Sequence, residues 1–472
     1  MHSEPQALFF EGNRLLAAGD PAAAAACFRQ ACALEPALAE GWANLALALD
    51  QSGDPAAAED AYRKALGCGC DAFELHLNFG ALLATQKRFD EAQACYARAL
   101  QLDNTSAALW SNLGALYLGM QQDDDALTCL EQALQLQDGH ASASTNLAHL
   151  HLRNGNWEAG LRALEARNWY DTLAMPCPRW QGEYLQGKAL LLTEQAGHGD
   201  VIQWVRYVPL LKAMGARHIT LMCHPALCAL MRTVNGLDTV VSSEAAAPAA
   251  DYWSPLMSLP FWLQTRADTI PASIPYVEAE TRLMAQWRER LETTVTAGAK
   301  RVGLVWKGNP AFENDAERSI ANFDMLAPLL ATPGVAFFSL QKGAGEAEPA
   351  LLNAARAQRG LPPFPVESPG ADLHHFADAA ALLAQLDLVI TVDTATAHLA
   401  GALGVPCWVL LPDYMADWRW GVNAGATATA SAWYPQGMRL WRQRRGGNWA
   451  EVIDTVGQAL QGWTATHYAT PT

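Results

Sequence analysis

The sequence predicts two fold classes in one chain: an α-helical superhelical repeat over the first third, then an α/β region whose parallel strands fall into two halves. Three observations carry this expectation. Small and aromatic residues recur every 34 positions between Gly12 and Leu164. From about residue 188, short apolar runs alternate with helical stretches. The clearest of them, residues 386–413 (LDLVITVDTATAHLAGALGVPCWVLLPD), reads as strand, tight turn, helix, strand, the unit of an open parallel sheet.

Composition sets the bounds. A chain of 472 residues, 51% hydrophobic and 17% charged, has core material for two or three domains. Its 32 basic and 48 acidic residues give a net charge of -16, which argues against broad nucleic-acid binding, since that needs a basic face. The densest basic run, Arg442-Gln443-Arg444-Arg445, reads as a solvated loop or as a phosphate or partner contact. The ten cysteines are scattered, and Cys68-Gly69-Cys70 matches no zinc spacing. Reduced thiols of a cytosolic protein are therefore expected. Residues 1–5 are polar, with no apolar stretch of a signal peptide behind them. No run approaches the roughly 18 apolar residues of a membrane span. A cytoplasmic location follows as the expectation.

In the first third, Gly12, Ala46, Gly80, Gly114 and Ala148 share one phase of the period, and Phe28, Tyr62, Tyr96, Leu130 and Leu164 share another. A small residue facing a large one lets paired helices cross closely. Gly19-Asp20, Gly53-Asp54, Arg88-Phe89-Asp90 and Asn154-Gly155-Asn156 mark the turns. This pattern resembles the tetratricopeptide repeat, with four full repeats and a partial fifth over residues 1–167. Such arrays present a concave groove to an extended peptide or a partner helix. Asn44, Asn78, Asn112 and Asn146 are also 34 apart. They form either a ladder for a bound peptide backbone or structural bonds within each repeat. Asp123-Asp124-Asp125 reads as a solvated turn.

Residues 168–186 lose the period and form a linker rich in proline and tryptophan. The first α/β half, 187–298, opens with a strand over 188–193, a glycine-bearing loop over 194–200 and a helix over 201–214. The loop lacks GxGxxG and GxxxxGK[ST], so dinucleotide and P-loop readings are weak. Asp200 is a helix cap or a general base in a cleft. His198 is the second candidate, as base or acceptor contact. Residues 255–260 make another turn at the same strand ends.

The second half, 299–472, has strands over 301–306, 335–340, 388–392 and 407–411. Helices are expected from Ser319 and over 376–384, 395–403 and 449–460. Three strands end in polar residues: Lys307 and Asn309, Gln341 and Lys342, Asp393 and Thr394, with His398 one turn further on. Apolar strands with convergent polar ends are what a nucleotide-binding crevice needs.

Residues from about 186 to 462 resemble the ADP-heptose:lipopolysaccharide heptosyltransferases, a glycosyltransferase family 9-like domain, and the whole chain resembles bacterial fusions of tetratricopeptide repeats to such a domain. The resemblance rests on LLLTEQAGHGDVIQWVRYVPLL, PLMSLP, VGLVWKGNP, ERSI, SLQKG, DLVITVDTATAHLAGALGVPCWVLLP, DWRW and SAWYP, in the family's order. It implies a GT-B fold of two Rossmann-like halves and inverting sugar transfer, with a nucleotide-sugar as donor substrate and no metal or other cofactor. Asp200 then matches the family's general base. Arg318 falls where the family has a phosphate-binding lysine. Asp393, Thr394 and Ala395 match the donor loop, and His398 matches a histidine beyond it. Lys307, Asn309, Gln341 and Lys342 complete the expected donor site. Asp413-Tyr414-Met415 departs from the proline-containing loop expected there.

The leading expectation is a glycosyltransferase acting on Ser or Thr of a polypeptide held by the repeats, with flagellin or another surface protein as an analogy. The alternatives are transfer to lipopolysaccharide or a lipid-linked glycan, and a repeat scaffold on an inactive transferase domain. The sugar, the nucleotide and the oligomeric state stay open.

Overall fold

A computed structural model describes residues 3–165, 173–296, 298–312, 314–421 and 428–467. The start of the expected linker, 168–172, lies outside them. The chain forms two compact units, one comprising Met1–Leu150 and the second His151–Glu165 with Trp169–Thr472.

The first unit is built from helix pairs. These are α1 (Glu4–Ala17) with α2 (Pro21–Leu34), α3 (Ala39–Gln51) with α4 (Pro55–Gly67), α5 (Phe73–Thr85) with α6 (Phe89–Leu102), and α7 (Ala107–Gly119) with α8 (Asp123–Leu136). Helix α9 (Ala141–Arg153) follows. The 34-residue phases are a steric lock: a Cβ on Gly12 would stand 2.6 Å from the Phe28 ring, and one on Gly80 would stand 2.5 Å from Tyr96. Asp20 and Asp54 cap the second helices of their pairs, accepting from Ala23 N–H at 3.0 Å and Ala57 N–H at 3.1 Å. Asp123-Asp124-Asp125 is the first turn of α8 rather than a turn outside it. Three carboxylates there complement the positive end of the helix dipole.

Helix α10 (Trp157–Glu165) carries the repeat phases Gly160 and Leu164, yet it belongs to the second unit. Trp157 is part of the reason. Its ring lies 5.8 Å from that of Trp418 and 5.5 Å from that of Trp433.

The second unit holds two sheets. The first runs β3-β2-β1-β4, all parallel, from β1 (Ala189–Thr193), β2 (His218–Met222), β3 (Thr239–Val241) and β4 (Tyr252–Pro255). Its helices are α11 (His198–Trp204), α12 (Val208–Ala213), α13 (Pro225–Met231) and α14 (Leu259–Trp262). The single helix expected over 201–214 starts earlier, at His198, and is split by a 3-10 turn at Val205–Tyr207. Pro209 opens α12, where it gives up no helical N–H.

Helix α15 (Thr281–Thr294) leads to the second sheet, β10-β11-β9-β8-β5-β6-β7. Its strands are β5 (Lys300–Val305), β6 (Val335–Ser339), β7 (Val366–Glu367), β8 (Leu388–Val392), β9 (Cys407–Leu411), β10 (Ala428–Ala430) and β11 (Met438–Arg442), of which β10 is antiparallel. The remaining helices are α16 (Asp315–Arg318), α17 (Ala327–Leu330), α18 (Glu348–Gln358), α19 (Phe376–Leu383), α20 (Ala395–Leu403) and α21 (Trp449–His467). One parallel and one mostly parallel sheet with flanking helices are consistent with a GT-B type unit. The helix expected from Ser319 does not form there. Ser319 Oγ accepts from Gly308 N–H at 2.8 Å and Ile320 N–H donates to Trp306 C=O at 2.7 Å, so the chain is drawn along the end of β5. Helix α21 buries Val452, Ile453, Val456 and Leu460 in the core of this second half, with Leu329 and Leu330 of α17.

Candidate active site

Among the parallel strands, order reverses once in each sheet, between β1 and β4 and between β5 and β8. Ligands of open α/β sheets bind outside the carboxyl ends of strands at such reversals. The loop after β1 leads to Asp200, and the turn after β8 carries Asp393 and Thr394. These two places meet. A Cβ on Gly199 would lie 2.9 Å from His398 Cδ2 and 3.3 Å from Ala395 Cα, so the first turn of α11 packs directly on the first turn of α20. Only a residue without a side chain permits that approach.

Asp200 sits in the first turn of α11, and its Oδ2 accepts from Gly197 N–H at 2.8 Å. The cap role is thus real, and it leaves the other oxygen for a second partner. That partner is Arg419, whose Nη1 donates to Asp200 Oδ1 and also to Gln203 Oε1 at 3.0 Å. Asp417 holds the opposite edge of the same guanidinium, accepting from Nε at 2.8 Å and Nη2 at 2.7 Å. This two-point fork fixes the plane of the group. The side chains of Arg419 and Asp200 are both 13% exposed, so the pair is shielded from solvent. Arg442, expected in a surface run, is instead buried in β11 and donates to Trp420 C=O, which anchors the loop that carries Arg419. Gln443 is buried too and accepts from Asp413 N–H at 3.1 Å.

Asp393 follows β8, half-buried. Burial and the nearby Asp417 push its carboxyl up to about 6, against the opposing pull of Arg419 and Arg318. Thr394 Oγ1 pairs with Thr391 Oγ1 at 3.0 Å, which leaves the backbone of the α20 first turn facing α11. His398 is buried, stacks on Trp420 at 5.1 Å and pairs through Nδ1 with Tyr434 Oη at 3.0 Å. Burial first and Arg419 second hold its imidazole well below the ordinary range, so it is neutral. His198 points elsewhere, with its ring 4.8 Å from His224 and 5.4 Å from Phe376.

The other expected donor residues are more heavily engaged by the protein. Lys307 Nζ is paired with Glu348, which also accepts from Trp306 Nε1 at 3.0 Å and Phe323 N–H at 3.1 Å. Gln341 accepts from Trp306 and Lys307 N–H at 3.1 and 3.0 Å and donates to Lys307 C=O at 3.0 Å, tying the end of β6 to that of β5. Lys342 Nζ donates to Glu346 and Gly370 C=O. Asn309 makes a local turn, accepting from Ala311 N–H at 3.0 Å. Arg318 is held by Asp315 at 3.0 Å, lies over the Phe312 ring at 4.4 Å and acts electrostatically on Asp393. In the first unit, Asn44 Nδ2 donates to Asn13 Oδ1 at 2.8 Å, Asn112 bonds Tyr96, and Asn78 and Asn146 are half-buried.

Sequence reasoning assigned no role to Arg419, Asp417 or Arg206. Arg206 is 3% exposed and donates to Trp433 C=O at 2.8 Å and Tyr276 Oη at 3.0 Å, with its guanidinium 4.6 Å from the Tyr434 ring centroid. The signal was available: each is a charged residue set among Trp and Tyr in an otherwise apolar stretch, where a lone charge needs a buried partner.

Residues 276–410 match the model of glycosyltransferase family 9 (heptosyltransferase), and residues 11–74, 71–138 and 112–169 match tetratricopeptide repeat models. The chain carries tetratricopeptide repeats and a glycosyltransferase family 9 domain. The matched part of that domain holds Arg318, Asp393, Thr394 and His398, while Asp200 and Arg419 lie on either side of it. Protein FlbA of Caulobacter vibrioides is 29% identical over 313 residues, a match that spans 62% of this chain and about half (49%) of that protein's length. Among solved structures, one from the functional characterization of Pseudomonas aeruginosa pilF is 25% identical, covering 34% of this chain and 74% of that one with a TM-score of 0.32. YrrB, a TPR protein with an unusual peptide-binding site, is 21% identical over 34% of this chain and 82% of its own, with a TM-score of 0.31. No helix among the described residues is long and apolar enough to cross a membrane.

Proposed function

We propose that this chain is an inverting glycosyltransferase that moves a sugar from a nucleotide-sugar to a Ser or Thr hydroxyl of a polypeptide, without a catalytic metal, and that its repeats bind that polypeptide. One observation carries the reading. The Gly199-Asp200 turn and the Asp393-Thr394-Ala395 turn, one from each strand-order reversal, are in van der Waals contact, so a candidate base and a candidate donor loop share one place. The family 9 match over the donor side supports it.

In this mechanism the acceptor hydroxyl gives its proton to Asp200 as its oxygen attacks the anomeric carbon. The bond from that carbon to the diphosphate oxygen breaks, and the electron pair leaves with the nucleotide. Arg318 and the free N–H groups at the start of α20 stabilise the departing charge. Asp393 orients the sugar hydroxyls. Lys307 and Lys342 shape the loops through their carboxylate partners. The pairing of Asp200 with Arg419 favours a second reading, a repeat scaffold whose transferase site does not turn over.

A thermal-shift titration in EDTA against UDP, GDP, ADP, CMP and dTDP and their sugar conjugates tests the proposal. The expected result is stabilisation by one nucleotide, abolished in Asp393→Ala and in Arg318→Ala. Absence of any shift across the panel would contradict it and favour the scaffold.

A further inference from the structure

The ion pair that occupies Asp200 also suggests how the site is switched on. We propose that Arg419 is a further donor-binding residue: its guanidinium passes from Asp200 to the donor diphosphate when the nucleotide-sugar binds, and this transfer frees Asp200 to act as base. The inference rests on the functional reading above and deepens it.

Geometry divides the guanidinium into two edges. Nε and Nη2 are committed to Asp417, two residues away on the same loop. Nη1 reaches Asp200 and Gln203 on α11, in the other half of the unit. Asp417 can therefore keep the group in place while Nη1 exchanges one anionic oxygen for another. A diphosphate oxygen is a suitable competitor, because guanidinium matches phosphate and carboxylate geometry alike.

Charge favours the exchange. Asp200, Asp417 and Asp393 all act on Arg419. A diphosphate would enter a place crowded with carboxylates, and it needs a cation. Arg318 is one, already held by Asp315, while Lys307 and Lys342 have their ammonium groups against Glu348 and Glu346. Arg419 is bonded to the candidate base and acts electrostatically on Asp393 of the candidate donor loop, and one of its two bonds across the halves is to the very group that must be released.

The exchange also resolves a chemical conflict. With Oδ2 bonded to Gly197 N–H and Oδ1 to Arg419, both carboxylate oxygens of Asp200 are already engaged by the protein. Once Arg419 turns to the diphosphate, Oδ1 takes the acceptor proton, the new carbon–oxygen bond forms, and the leaving diphosphate's added charge rests on Arg419. Donor must then bind before the hydroxyl is activated, which limits wasteful reaction with water.

Isothermal titration of the full chain with UDP, GDP, ADP and inorganic pyrophosphate tests this. If Asp200 competes with the diphosphate for Arg419, Asp200→Asn binds the preferred nucleotide on the order of tenfold more tightly than wild type, although it removes the base. Arg419→Lys binds it at least tenfold more weakly, and the double variant shows no gain from Asp200→Asn. Equal or weaker binding by Asp200→Asn, with wild-type binding intact and Asp393→Ala impaired, overturns the exchange while leaving the donor site standing. Absence of wild-type binding to any probe overturns both. Should Arg419→Lys not fold, the isosteric Asp200→Asn decides alone.

Discussion

Gly199→Ala tests whether the two candidate loops are held in contact. The added Cβ would stand 2.9 Å from His398 Cδ2 and 3.3 Å from Ala395 Cα. Ordinary carbon contacts lie at about 3.5–4.0 Å, so something must move by roughly 0.6 Å. His398 cannot yield easily, because Tyr434 holds its Nδ1 and Trp420 lies against its face. Ala395 is backbone in the first turn of α20. The strain therefore separates α11 from α20, which overpacking in well-packed interiors converts into about 1–3 kcal/mol. Chemistry should suffer more than stability: a misplacement approaching 1 Å can cost on the order of 100-fold in rate. The assay pairs a urea melt with initial rates of nucleoside diphosphate release. The expected outcome is a modest loss of stability, intact nucleotide binding, and a fall in kcat of roughly 10- to 100-fold. Wild-type kcat in a folded Gly199→Ala protein would refute the claim that the two turns work at van der Waals distance.

Three further outcomes are expected. Asp393 has its folded-state carboxyl raised to about 6, mainly by burial. A raised carboxyl favours folding at low pH, and that contribution is lost as pH rises from the ordinary carboxylate range through about 6. Asp393→Asn should therefore stabilise the chain at about pH 7.5 by about 1–2 kcal/mol after solvent screening, with the gain vanishing near pH 4. Differential scanning calorimetry at the two pH values checks this, and a gain independent of pH would contradict it. Glu348→Gln leaves Lys307 unpaired while Trp306 Nε1 and Phe323 N–H lose a charged acceptor, so a loss of about 2–3 kcal/mol is expected in a urea melt. Asn78→Ala combined with Asn146→Ala should lower transfer to polypeptide about tenfold, one lost hydrogen-bonding contact or more, while nucleotide affinity is unchanged.

The parts of the fold legible in the sequence were those in which one local rule acts alone. The run Leu388 to Val392 is apolar because β8 is buried on both faces. Gly404 follows α20 because the cap needs the left-handed φ of 75° found there. The repeat was legible because the Gly12–Phe28 lock recurs at Gly80–Tyr96. What escaped were residues whose role is set by a distant partner. The apolar phase beyond Ser319 looks helical, but Ser319 and Ile320 are bonded to the end of β5. Gln341 reads as a ligand because it ends a strand, yet its amide ties two loops. Arg419 and Asp200 are 219 residues apart, and no periodicity connects them.

The most direct measurement is intact-mass spectrometry of polypeptide acceptors after incubation with the purified chain and each nucleotide-sugar, with the Asp200→Ala chain alongside. A mass increase of one sugar on a Ser or Thr, made by the wild-type chain and absent with Asp200→Ala, is the predicted result. Equal modification by both chains would remove Asp200 as base. Release of nucleoside diphosphate with the sugar found on a lipid-linked glycan and never on polypeptide would contradict the protein-acceptor claim.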